Sequence, residues 1–195
     1  MLLTTRMLED RLSEYGNPRN RIGRMVDAGE LIQVRRGLYE TDRTVAGCGL
    51  APSIYGPSYL SFEYAMARHG LIPEAVHVFT SATCAKRKSR SYENAYGRYD
   101  YQDVPVSVFS LCVELVREPG YPYWIATPEK SLCDKLYKLP PVANKVEFET
   151  LLLDDLRIGE DSLGSLDLNA VAMLARRYRC RNVMRLASYL RGMRR

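Results

Sequence analysis

Arg19, Asn20, Arg21 and Arg24 fall within six positions of one another in the stretch NPRNRIGRMVDAGELIQVRRGLYE, residues 17–40. Guanidinium and amide groups can pair bidentately with guanine and adenine edges in a major groove. Arg35 and Arg36 stand directly ahead of Gly37, where a turn would present them to phosphate oxygens. The chemistry open to this set is nucleic-acid recognition, with Asn20 and Arg24 against bases and Arg19, Arg21, Arg35 and Arg36 against the backbone. The plainer reading is a capped helix and a hairpin with solvated arginines, and the net charge of residues 1–45, only +1, keeps that reading open.

Two other groups of cations stand out. Lys86, Arg87, Lys88 and Arg90 precede Tyr92, Tyr96, Tyr99 and Tyr101. Bases stack on tyrosine while cations hold phosphates, so this segment is a possible partner or nucleic-acid surface. A solvated loop followed by a tyrosine-rich strand explains the same residues more simply. Residues 165–195 carry eight arginines against one aspartate, a net +7, whereas residues 46–164 carry −3. Arg176, Arg177, Arg181 and Arg185 therefore form a second candidate surface for a polyanion or an acidic protein.

Enzymatic chemistry finds little footing. No G-x-S-x-G, P-loop, G-x-G-x-x-G or H-E-x-x-H motif occurs. GSLDLN at 164–169 faintly resembles the Gly-Ser and paired acids of nucleotidyltransferases, but its spacing is too short and Asn169 stands where a second metal-binding carboxylate is needed. Glu129 with Lys130, and Asp134 with Lys135, read as helix-terminal charge complementarity and surface solvation. The five cysteines are scattered without a C-x-x-C pair, and His69 and His77 lack neighbours at metal-ligand spacing. A binding protein with no catalytic residue, metal or cofactor is expected. No run approaches 18 apolar residues, and Arg6, Glu9 and Asp10 interrupt the N-terminus, so a cytoplasmic location is expected.

Elements must hold these side chains. A helix is predicted over 4–14, with Met7, Leu8 and Leu12 inward. A second over 18–28 has an Asn17 cap, Pro18 at its first position, Ile22, Met25 and Val26 inward, and Gly29 as its stop. Leu31 to Tyr39 reads as a hairpin turning at Gly37. Helix, turn, helix and arginine-tipped hairpin is the outline of a winged helix-turn-helix. Residues 46–57, rich in glycine and proline, read as a linker or packed connector. Ser61 caps a helix reaching His69, and AVHVFTSA (75–82) and VPVSVFSLCVEL (104–115) read as strands, His77 lying on a sheet face or edge. Thr127 and Pro128 start a helix with Leu132, Leu136 and Tyr137 inward. After a short helix and a polar loop, two terminal helices bury Val171, Leu174 and Tyr178, then Val183, Leu186 and Leu190. Arg194 and Arg195 join the arginines on their outer side. The expected fold is α+β: a truncated winged helix-turn-helix over 1–45, a connector over 46–57, and a mixed α/β domain over 58–195 ending in basic helices.

GELIQVRRGLYE, YGPSYLSFEYAMARHGLIPE, VFTSAT and IATPEKSLCDKLYK, in that order and spacing, make the chain resemble the AbiEi antitoxin family of abortive-infection toxin-antitoxin systems. The resemblance spans roughly residues 17–140. It implies an N-terminal winged helix-turn-helix, repression of the protein's own operon by binding inverted repeats in operator DNA, and neutralisation of a nucleotidyltransferase toxin without a stable complex. Arg19, Asn20, Arg21 and Arg24 match the family's recognition helix, and Arg35 and Arg36 its wing. Family members generally carry one further N-terminal helix. An interaction protein acting through the basic C-terminal helices, without specific DNA binding, is the alternative.

Overall fold

The computed structural model describes residues 1–193. The chain is α+β. Strand β1 (Leu2–Thr4), helices α1 (Thr5–Arg11) and α2 (Pro18–Asp27), and the hairpin β2 (Ile32–Arg35) and β3 (Leu38–Glu40) come first. Their antiparallel sheet has the order β1-β3-β2. β1 was not expected. Thr4, predicted inside the first helix, instead ends the strand and caps α1, its hydroxyl accepting from the Met7 amide at 3.3 Å. This shortens the helix, leaves Met7 exposed and puts Leu3 in the core. Leu3, Leu8, Ile22 and Leu31 form the small core of this unit.

Residues 46–57 contain helix α3 (Gly47–Ile54), buried along most of its length in the main core. Glycine is required twice here by close approach: a Cβ at Gly47 would meet the Phe79 ring at 2.5 Å, and one at Gly49 the Tyr121 carbonyl oxygen at 2.7 Å. Strand β4 (Ser58–Leu60), helix α4 (Phe62–Arg68), strands β5 (Val78–Thr83), β6 (Arg90–Asn94), β7 (Gly97–Asp103), β8 (Val113–Val116) and β9 (Tyr123–Ala126), and helix α5 (Pro128–Lys138) follow. The six strands form one mixed sheet, β6-β7-β5-β4-β9-β8, in which β5 and β7 are parallel, as are β4 and β9. Strand residues alternate between faces. Tyr99 and Tyr101 reach α3 on one face, their hydroxyls donating to the Gly47 and Ala51 carbonyls at 3.1 and 2.8 Å. Tyr59 reaches α5 on the other.

Two strand expectations need correction. β5 begins only at Val78, so His77 lies outside the sheet on an exposed stretch. Residues 104–112 are not a strand: Pro105 withholds an amide, Val104 and Val108 are buried four positions apart, and a 3-10 turn runs over Val106–Val108 with Val106 exposed. Helix α6 (Lys145–Thr150) continues as a π-helical turn over Leu151–Asp155, before α7 (Glu160–Ser165), α8 (Leu168–Tyr178) and α9 (Arg181–Met193). All six apolar residues expected to be inward on α8 and α9 are buried. Arg194 and Arg195, expected on their outer surface, lie outside the described residues. Among the described residues, no helix is long and apolar enough to cross a membrane.

Candidate nucleic-acid interface

The start of α2 forms locally. Asn17 Oδ1 accepts from the Asn20 amide at 3.1 Å, and Pro18 sits where an amide would lack a partner. Ile22 is buried and Met25 and Val26 half-buried, which leaves Asn20, Gly23, Arg24 and Asp27 on the exposed face. The Asn20 and Arg24 side chains form no hydrogen bond or ion pair with the described residues. Arg19 differs: its Nε donates to Glu9 Oε1 on α1 at 2.6 Å, and that hydrogen bond, then the Glu9 charge, hold the guanidinium above its ordinary pKa. Arg21 is also engaged. Its guanidinium lies 5.7 Å from the Tyr15 ring centroid, and its Nε is buried without a hydrogen-bond partner. Of the four helix residues, two are therefore presented free and two are tied to the protein.

The hairpin turns at Gly37, whose φ of +81° suits a residue without Cβ. Its carbonyl accepts from the Thr5 amide at 3.1 Å, fixing the tip against the start of α1. Arg35 and Arg36 are exposed there. The wing is also seated on the larger unit. Val34 is buried in the main core, and its carbonyl accepts from Asn94 Nδ2 at 2.9 Å on β6. The Tyr96 hydroxyl donates to the Asp42 carbonyl at 2.7 Å. The Tyr121 hydroxyl accepts from the Leu2 amide and donates to Glu40 Oε2, both at 2.6 Å. Glu40 is fully buried and also accepts from the amides of Thr41 and Asp42 and from the Met1 amino group. Burial alone would raise its pKa. Those donors outweigh burial and hold the carboxyl below its ordinary value.

The tyrosine platform expected after residue 88 is only partly available. Tyr99 and Tyr101 are wholly buried, and desolvation pushes both phenols well up; Tyr92 and Tyr96 are half-buried. Arg87, Lys88 and Arg90 are exposed, and the Lys86 ammonium lies 5.3 Å from the Tyr55 ring centroid. At the C-terminal helices, Arg176, Arg177 and Arg181 are exposed, but Arg185 is half-buried and donates to the Ala143 carbonyl at 2.6 Å. Of the three cation groups expected from the sequence, the hairpin is joined to β6 through the Val34–Asn94 hydrogen bond, and the 86–90 loop reaches Tyr55 through Lys86.

One polar group escaped the sequence reading altogether. Lys130 and Asp134, expected on the surface of α5, are fully buried, with Nζ 2.8 Å from Oδ1. Tyr178 of α8 donates to the same carboxylate oxygen and accepts from Lys130. Asp134 Oδ2 accepts from Tyr59 at 3.0 Å and Ser61 at 2.6 Å. Every charge in the group is compensated, and desolvation first, then the Asp134 charge, push both phenols far up. Tyr59 and Ser61 come from SYLSFEY, and Lys130 and Asp134 from TPEKSLCDKLY. The two most specific segments behind the family resemblance thus join in one buried network. The signal was a Lys and an Asp four apart, flanking Leu132 and Cys133, on the side of α5 that also carries the inward-facing Leu136 and Tyr137. Asp167, in GSLDLN, caps α8 by accepting from the Asn169 amide at 2.8 Å, and its own amide donates to Glu129 at 2.9 Å.

A scan against protein-family models finds no match to this chain, and a search of curated proteins finds none either.

Proposed function

We propose that the protein is a cytoplasmic, DNA-binding antitoxin that represses its own operon in an abortive-infection system. In this reading α2 lies in the major groove of inverted repeats in operator DNA. Asn20 and Arg24 read base edges, and Arg36 and Arg35 hold phosphates from the wing. A nucleotidyltransferase toxin is the functional partner, and the chain itself performs no catalysis. The observation that carries the reading is the free presentation of Asn20 and Arg24 on a capped helix, next to a sheet of order β1-β3-β2 with an arginine-tipped hairpin. The resemblance to AbiEi antitoxins supports it further. Arg19 would exchange Glu9 for a phosphate on binding.

Fluorescence anisotropy with duplex DNA from upstream of the protein's own coding sequence tests it. Preference over a scrambled duplex is expected, and Asn20→Ala and Arg24→Ala should each cost about 1–3 kcal/mol on the specific duplex while relaxing discrimination. Equal affinity for both duplexes would overturn the reading.

A second reading is an interaction protein working through the basic C-terminal helices without specific DNA binding. The observation favouring it is a groove of about 220 Å³ between α8 and α9, lined by Ala172, Ala175 and Ala187 and flanked by Arg176 and Arg191.

A further inference from the structure

The two edges of the six-stranded sheet are finished differently. At one end β6 carries Arg90 and Glu93, both exposed, and the wing runs beside it through the Asn94 bond to the Val34 carbonyl. Charge and cover of this kind keep an edge from pairing. At the other end β8 has neither: its single charge is Glu114, and among the described residues no strand lies beyond it. Leu115 there is 38% exposed, and Trp124, directly across the ladder on β9, is 48% exposed. The apolar surface continues into a hollow of about 270 Å³ between Tyr59, Phe109, Val113 and Trp124.

Which main-chain groups of β8 face outward follows from one bond. The Thr127 amide donates to the Cys112 carbonyl at 3.0 Å, and these two residues stand directly opposite in the register that pairs Val113 with Ala126. Hydrogen-bonded and non-bonded pairs alternate along an antiparallel ladder. Glu114 and Val116 therefore turn their amides and carbonyls into β9, while Val113, Leu115 and Arg117 turn theirs out of the sheet. No other described group bonds to these outward amides and carbonyls. An unpaired row of this kind is a template for a further strand.

We propose that this edge pairs with the same edge of a second copy of the chain, antiparallel and two-fold symmetric, so that two six-stranded sheets run on as one. The symmetry requires one residue to face itself, and the sequence around β8 leaves one choice. Centring on Glu114 sets that carboxylate against itself, centring on Val116 sets it against Glu118, and centring on Arg117 opposes two guanidiniums. Like charges directly opposite are destabilising. Centring on Val113 needs extended backbone at residues 110–112, where the chain turns and Cys112 is left-handed (φ 53°). Only Leu115 is left. It meets Leu115 of the second copy, Val113 meets Arg117, and Glu114 meets Val116, with the outward amides and carbonyls exchanging bonds pair by pair. Trp124, Leu115 and their two counterparts form one apolar row across the join. One strand pair is a small interface, so the association depends on concentration. It stands apart from the DNA-binding reading, since neither α2 nor the wing takes part in it.

Sedimentation velocity over a concentration series, without DNA, tests this. The wild type should move toward twice the 22.3 kDa of the chain as concentration rises. Leu115→Glu and Leu115→Lys each set like charges face to face at the axis and should stay monomeric. An equal mixture of the two variants should recover the dimer, because the opposed side chains then carry opposite charges. Amide exchange followed by NMR supplies a readout that needs no variant. In the wild type, exchange at Leu115 should slow as concentration rises, whereas Glu114 and Val116, already bonded to β9, should change little. A wild type that stays monomeric, a dimer untouched by both variants, or exchange at Leu115 that ignores concentration would overturn the inference and leave the DNA-binding reading as it stands.

Discussion

Lys130 and Asp134 illustrate how a charged pair can be a structural joint. Two hydroxyls from β4 and its exit, and one from α8, complete the hydrogen bonding of a carboxylate with no access to water. Removing one charge leaves the other buried and uncompensated, so Lys130→Met should destabilise the protein by about 3–5 kcal/mol in urea denaturation. Lys130→Met/Asp134→Leu should cost less than the sum of the single changes, because the double change removes both charges. Additive costs would mean that the pair is not coupled. At this scale the sequence was legible where the cause is local: the Asn17 cap, Pro18 at the helix start and the exposure of Arg24 all follow from neighbours within a few positions. It was not legible at Lys130. A Lys and an Asp four apart look the same on a solvated face as in a core; the difference is Tyr178, brought up from far along the chain.

The elements show the same division. Helices α2, α5, α8 and α9 declare themselves through caps and a 3.6-residue apolar period, because each buries one stripe against something else. β1 and α3 did not. β1 exists because β3 offers it a ladder, Leu3 opposite Tyr39, and α3 is a helix that buries Leu50 and Ile54 but whose Gly47 and Gly49 are explained only by the close approach of Phe79 and Tyr121. The seat of the wing is likewise made between elements, where Tyr121 joins β1 to the end of β3. Tyr121→Phe strands the Leu2 amide and one Glu40 oxygen, and should cost about 1–3 kcal/mol of stability. The pH dependence has a definite sign. Glu40 is held below its ordinary pKa in the folded protein, so its stabilisation is present above the unfolded value of about 4.3 and is lost as pH falls through the folded value. Thermal melts should therefore show the advantage of the wild type over Glu40→Gln largest near pH 6 and shrinking below about pH 4. An advantage that grew on acidification would contradict this assignment.

For the molecule as a whole, the two parts expected from the sequence share more than a connector. The first has only four buried apolar residues in its own cluster, while Val34 of its hairpin belongs to the main core. A core of that size seldom supplies more than about 3–5 kcal/mol. A fragment of residues 1–45 is therefore expected to lack a cooperative thermal transition by circular dichroism, while the full chain shows one; a cooperative fragment would mean that the seat is dispensable. Under the proposed DNA-binding role, the seat also bears on how new binding preferences can arise. An N-terminal unit borrowed from another protein would bring its own arginines and main-chain groups, but not the Glu40 carboxylate, nor the register that sets the Leu2 amide and the Val34 and Asp42 carbonyls against Tyr121, Asn94 and Tyr96. Whole-module exchange between such proteins would strand these groups on both sides of the graft. In that role, single replacements on the exposed face of α2 would change recognition at least cost to the fold, because the Asn20 and Arg24 side chains hold no other element in place and Gly23 faces open space.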